Sequence, residues 1–264
     1  MKARPITRLR EGIDSLFDKS QTEVEVIPEL GRLGAQVLLQ MALDAEVTLQ
    51  LGRHTGQQRT VGRAGVAPVV RSGHRVVVIK TTAGPVRLWW PRLRGGQGGF
   101  VSRIYGMQTI DVEPLIRLFV TSHVRRLDAT EVHEALVRAF GLPAAVASTV
   151  LLQGVSHRMV VDCEAWGRRR LEGMDLGSLR FVPGRLAVSD VVDGGPVLAV
   201  GGVSGDGDPS FLGLSPGAAD SVEAWTALLT DLAARGLDGP ASVAEPVPSA
   251  LVTALSRAFF AVVR

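Results

Sequence analysis

Apolar residues recur at a helical period through the first part of the chain and at a strand period toward its end. From Glu29 to Leu51, Leu30, Leu33, Val37, Met41 and Ala45 fall on one face. Arg32, Gln36, Gln40 and Asp44 fall on the other, so the pattern predicts an amphipathic packing helix stopped at Gly52. The residues before it, 1–27, read as a loosely ordered arm, with Ile13, Leu16 and Phe17 forming one short amphipathic turn. Residues 53–68 are rich in Gly, Gln and Arg and read as a flexible basic loop. Alternation then predicts a hairpin. Val76 to Lys80 is one strand, Thr82-Ala83-Gly84-Pro85 the turn, and Val86 to Trp90 the return, ended by Pro91. Such a hairpin needs a helix or a partner to pack on. Trp89 and Trp90 point to opposite faces. One belongs to the core, and the other can be exposed to stack on a base or cover a partner. Arg92-Leu93-Arg94 enters the loop Gly95–Gly99, which reads either as a close-approach segment or as a linker.

Helical spacing returns from Asp111 to Leu127, with Pro114 in the first turn. A further helix is predicted over Ala129–Phe140. Asp128 caps it, Glu131 completes a capping box, Leu127 staples onto Val132, and Gly141 stops it. After the short Leu142-Pro143 turn another helix starts near Ala144. Helix, short Gly-containing turn and helix is the helix-turn-helix layout, and equally that of a plain packing hairpin. In the first case Ser148, Thr149, Gln153 and His157 reach base edges. Short β-rich runs follow at 185–192, 196–203 and 210–214, with Asp193-Gly194-Gly195 and Gly205-Asp206-Gly207-Asp208 as turns. A helix at 221–235, capped by Asp220 and stopped by Gly236, a strand at 241–244 and a helix at 249–263 complete the chain. Three antiparallel strands, a helix and a fourth strand form the opening of a ribonuclease H-like fold, and the chain ends before that fold is complete. The fold class expected is α+β. Its parts are an arm at 1–27, a helix with a basic hairpin at 28–110, a helix-turn-helix domain at 111–178, and a partial ribonuclease H-like unit at 179–264.

Charge sharpens the picture. The chain carries 29 basic and 26 acidic residues, yet Val47 to Ile110 holds nine Arg, one Lys and no acid. That window is +10 over 64 residues, and the remainder is −7. Such segregation suits a polyanion, because phosphate contacts dominate nucleic-acid affinity. It also fits a solvated basic surface without a partner. A single cysteine, Cys163, excludes an internal disulfide framework and suits a reducing compartment. It reads as a small buried hydrophobe. No run of about 18 uncharged apolar residues is present, and the first residues lack an apolar signal core. A cytoplasmic, nucleoid-associated protein with no membrane segment is expected. His54, His74, His123, His133 and His157 show no i, i+4 pairing, so no zinc site is expected. Neither a P-loop nor a dinucleotide fingerprint occurs.

Several phrases resemble the Mutator-type transposases of bacterial insertion sequences. They are Arg71-Ser72-Gly73-His74-Arg75 through Gly84, then Val86-Arg87-Leu88-Trp89-Trp90-Pro91-Arg92-Leu93-Arg94-Gly95, with Phe100 and Tyr105 beyond. The helix-turn-helix at 128–158 is similarly placed. Gly205-Asp206-Gly207-Asp208, Leu212-Gly213, Glu223-Ala224-Trp225 and Arg235-Gly236-Leu237-Asp238-Gly239 resemble the family's later segments, so the likeness spans 30–260. The resemblance implies double-stranded DNA binding at inverted repeats and an Asp-Asp-Glu site holding two divalent metals. The register puts Gly184 where the first Asp belongs, and Pro246, beside Glu245, where the second belongs. The third carboxylate falls in a part of the family that this chain lacks. No catalytic residue, metal or cofactor is therefore assigned.

The reading is a catalytically inactive DNA-binding protein, a transposition regulator or recruited factor. Arg71, Arg75, Arg87, Arg92, Arg94 and Arg103 hold phosphates, and the helix near Ala144 reads sequence. Self-association, or pairing with a full-length transposase, accompanies it. Two alternatives stand beside it: an active transposase or transposase subunit, and an oligomerisation remnant that does not bind DNA. RNA suits a helix-turn-helix less well, because the A-form major groove is deep and narrow.

Overall fold

The computed structural model describes residues 4–18, 23–52, 69–95, 100–105, 109–143, 150–189, 192–239 and 242–259. Among the described residues there are seven helices and two antiparallel sheets, an α+β arrangement. The basic loop expected over 53–68, the glycines at 96–99, the start of a helix near Ala144 and the end of the last helix lie outside the described residues.

The first residues depart from the expected loose arm with a single turn. They form helix α1, Pro5–Ser15, with Pro5 in its first turn, where a missing N–H costs nothing. Leu9, Ile13, Leu16 and Phe17 are all buried. Phe17 stacks on Phe211 at 5.5 Å and lies across Gly201, where a Cβ would come within 2.2 Å of the ring. Asp14 accepts the Phe211 backbone N–H at 2.6 Å. Docking onto a sheet supplies the order that the short segment could not supply alone.

Helix α2, Glu23–Leu51, starts earlier than the pattern predicts and carries Pro28 inside it. Residues 30–47 are buried except the half-buried Arg32 and Asp44. Gln36 and Gln40 are covered and Arg32 and Asp44 half-buried, so the polar face of the helix is internal. The reason is the first sheet, β1 (Val70–Thr81) paired antiparallel to β2 (Gly84–Arg94), which packs over that face. Both strands are longer than expected, and the turn shrinks to Thr82-Ala83. Pro91 does not end β2; it pairs with His74 inside the ladder. The Trp89 N–H points away from β1 toward Gln40, and the nitrogen two residues on points the same way. Pro91 therefore removes no ladder bond.

Helices α3 (Glu113–Val124) and α5 (Val150–Gly167) pack on α2, and α4 (Ala129–Phe140) packs on α3 and α5. The α4 capping box forms as predicted: Asp128 accepts the Thr130 N–H at 3.0 Å, and Glu131 accepts the Asp128 N–H at 3.2 Å. Gly141 ends α4 in the left-handed region at φ 59°.

The second sheet has the order β3-β4-β5, with β3 at Leu176–Ser189, β4 at Val192–Ser204 and β5 at Pro209–Pro216. The turn between β4 and β5 falls at 205–208 as predicted. Asp193-Gly194-Gly195 is not a turn; it lies within β4 where the register slips. A Cβ on Gly194 would come within 2.2 Å of the Leu186 carbonyl oxygen, so glycine serves a close cross-strand approach. Helix α6 (Val222–Ala234) is capped by the Ser221 side chain, one residue after the expected Asp220. Helix α7 is Ser249–Phe259. The expected strand at 241–244 is a single parallel bridge, Leu179 to Val243, beside β3. Alternation on this sheet separates two cores. Leu179, Phe181, Leu198, Val200 and Leu212 meet α6 and α7. Val182, Val197, Ala199, Phe211 and Leu214 join the larger cluster containing α1 to α5.

Candidate nucleic-acid interface

The β1–β2 ribbon is mounted on α2 by side chains that act as a strand. The Trp89 N–H donates to Gln40 Oε1 at 2.9 Å, and Gln40 Nε2 donates to the Trp89 carbonyl at 3.3 Å. Gln36 Nε2 donates to the Arg87 carbonyl. The inner edge of β2 is thus satisfied without a third strand. Pleating turns Val77, Ile79, Val86, Leu88 and Trp90 inward. Trp90 packs against Phe100 and Tyr105, and Trp89 is half-buried against the larger core, so each Trp is partly buried. The other face carries His74, Val76, Val78, Lys80 and Arg87, all exposed.

The segment after the ribbon is held by Glu46, which accepts the Ser102 hydroxyl and the Arg103 N–H. Burial raises the Glu46 pKa, and those two hydrogen bonds oppose the rise. The anchor leaves the Arg103 side chain in solvent.

Beside the ribbon, α1, α2, β1 and α5 enclose a groove of about 1140 Å³. Arg4, Arg8, Arg10, Arg71, Arg158 and Arg169 line it, against the carboxylates of Asp44 and Asp162. These arginines divide by what they touch. Arg10 and Arg169 lie against the Trp166 ring at 5.4 and 5.3 Å, and Arg169 donates to the carbonyls of Phe211 and Trp166. Burial lowers the Arg169 pKa to about 10, so it stays cationic at neutral pH. These two build the wall. Arg158 pairs with Asp162 at 2.9 Å on the surface of α5. Arg4 and Arg8 are exposed and make no ion pair among the described residues. Asp44 accepts from Gln40 at 3.1 Å, and burial lifts its pKa to about 6 against the pull of Gln40 and Arg71. His74, also on the wall, has its pKa lowered by burial and then by Arg71.

The residues expected to touch DNA are placed as follows. Arg71 enters the groove and donates to Thr48 Oγ1 at 3.1 Å. Arg75, Arg87, Arg92 and Arg94 are exposed along the ribbon, and Arg103 is exposed just after it. Gln153 and His157 are exposed on α5, with Arg158 at the groove. Ser148 and Thr149 lie outside the described residues. Sequence reasoning missed Arg4, Arg8 and Arg158. The cationic opening, with Lys2, Arg4, Arg8 and Arg10 in the first ten residues, was the available signal for the first two.

Two other residues have settled surroundings. Cys163 is buried 3.9 Å from Met41 Sδ, and burial pushes its thiol up to about 12, which keeps it inert. His123 sits among Phe119, Trp166 and Phe211, and burial lowers its pKa to about 4.

The implied pair of divalent metals finds no fit among the described residues. Gly184 pairs with Val197 inside the sheet, and a Cβ there would lie 2.4 Å from Ile27 Cγ1. An Asp at this position has no space while Ile27 of α2 covers it. Glu245, beside Pro246, is exposed. Among the described residues no three His, Cys, Asp or Glu side chains converge as metal ligands would. No described helix is long and apolar enough to cross a membrane.

No curated protein matches the chain. The family model of the Mutator transposases matches residues 7–263, a span that contains both sheets and runs from within α1 to beyond α7. The chain therefore belongs to the Mutator family of transposases.

Proposed function

We propose that this chain binds double-stranded DNA through the ribbon and the adjoining groove, without performing strand transfer itself, as a regulator of transposition or a recruited DNA-binding factor. The supporting observation is convergence. Arginines from residues 4–10, 71 and 158 meet along one groove beside a hairpin that contains no acid. In this reading Arg71, Arg75, Arg87, Arg92, Arg94 and Arg103 hold phosphates, joined by Arg4, Arg8 and Arg158. Helices α4 and α5 serve as a helix-turn-helix, with Gln153 and His157 toward the bases. Strands β3 to β5, α6 and the bridge at Val243 serve as the opening of a ribonuclease H-like scaffold. The contact between Ile27 and the Gly184 position supports the absence of metal chemistry. Self-association, or pairing with a full-length transposase, extends the reading and is measurable by sedimentation with and without DNA.

The test is duplex binding by fluorescence anisotropy across a salt series. Neutralising about nine phosphates makes log K fall with log salt at a slope near −8. A flat response overturns the reading. A parallel incubation of inverted-repeat duplex with Mg²⁺ or Mn²⁺ is expected to leave it intact. Metal-dependent nicking would replace the regulator with an active transposase.

A further inference from the structure

The outward face of the ribbon has a composition that phosphate binding alone does not explain. Val76 and Val78 are 59% and 60% exposed, two neighbouring apolar side chains on one face of β1. Directly across from Val78 is Arg87, and across from Val76 is the half-buried Trp89. Lys80 and His74 extend the row at either end. A face meant only for phosphates would carry cations throughout. The ribbon itself carries no acid, and Asp44 and Asp162 stand on the wall of the groove beside it rather than on this face.

The mounting of the ribbon is equally informative. One face is packed into the core through Val86 and Leu88, and the inner edge is tied to α2 by Gln36 and Gln40. Beyond the buried Pro91, the ribbon thus presents the stretch of this face from Val76 to Lys80 from a fixed base. A two-stranded ribbon fits the major groove of B-DNA, whose edges offer guanine acceptors to Arg and thymine methyls to apolar side chains. Arg4 and Arg8 line the groove that Val76 also lines, so cations flank this face.

We propose that the outward face of the β1–β2 ribbon enters the major groove and reads bases, Arg87 addressing a guanine and Val76 and Val78 addressing thymine methyls. The proposal rests on the DNA-binding reading above. It moves Arg87 from the phosphate-holding set to the base-reading set.

The experiment is selection from a random duplex library at about 0.15 M salt, where weak electrostatic binding is already reduced. It uses the full chain, Arg87→Ala, Val78→Ser and, for comparison, Gln153→Ala. Both ribbon positions are exposed, so thermal melts of the variants should match the parent. The expected result is a recovered motif that loses preference at one or two base pairs in R87A and at a neighbouring A·T pair in V78S. The discrimination should fall about tenfold at those positions. Q153A should alter different positions or none. If Arg87 only held a phosphate, R87A would weaken all sequences equally, reduce the salt slope by about one and keep the motif. A motif unchanged in both ribbon variants overturns the proposal and leaves DNA binding intact. A bound pool without any motif does the same. Failure of the parent chain to bind any duplex overturns the DNA-binding reading and this proposal together.

Discussion

His123 and Asp44 are held away from the proton affinities they have in water, in opposite senses. Burial lowers the His123 pKa to about 4, against the ordinary value of 6.5. The unfolded chain binds the proton more readily, so this contribution to stability is present above pH 6.5 and is lost as pH falls toward 4. Asp44 titrates near 6 against 3.8. The folded chain holds that proton more tightly, so its contribution is present below 3.8 and lost as pH rises through 6. The two slopes offset each other over a shared window. Asp44→Asn removes one of them. Relative to the parent, the variant should gain roughly 2–3 kcal/mol of stability between pH 4 and pH 7 in urea unfolding. A difference independent of pH would show that Asp44 is not held protonated. At this scale the sequence is informative where partners are close along the chain. The capping box spans three residues and was readable, whereas the side chain of Gln40 meets a backbone 49 residues away and was not.

Among the elements, the ribbon depends on a helix for an edge that a third strand would normally complete. Gln40→Leu removes the amide that serves both the N–H and the carbonyl of Trp89. Two buried backbone groups are then unpaired, and the loss of stability should be about 1–3 kcal/mol by denaturant titration. Hydrogen exchange at the Trp89 amide should accelerate with it. Wild-type exchange at that amide would rule out the clamp. Alternation made the hairpin legible, but its length was not, because Pro91 reads as a stop until the neighbouring edge is known to need no donor. Gly194 and Gly195 likewise read as a turn, although in the β4 register slip Gly194 serves a close approach and Gly195 takes a φ of 82°. Helix α1 was the least legible element, since its order comes from Phe17 over Gly201.

Across the whole molecule, the charge window of residues 47–110 marks one flank of the candidate surface, and folding adds the other. Arg4 and Arg8 reach the groove because α1 docks on β5, a juxtaposition invisible to any local pattern. If both arginines hold phosphates, Arg4→Ala with Arg8→Ala should reduce the salt slope of duplex binding by about two and weaken all sequences alike. An unchanged slope would confine the interface to the ribbon and α5.

Helix α2 gives this surface a mechanical connection. Ile27, near one end, lies over Gly184 of β3; Gln36 and Gln40, farther along, grip β2. The thirteen residue steps from Ile27 to Gln40 span about 20 Å of helix axis. A helix of that length is a stiff rod, so in the proposed complex a torque exerted by a duplex on the ribbon is delivered to β3, the edge strand of the second sheet. The rod bears there on Gly184, where any side chain would meet Ile27.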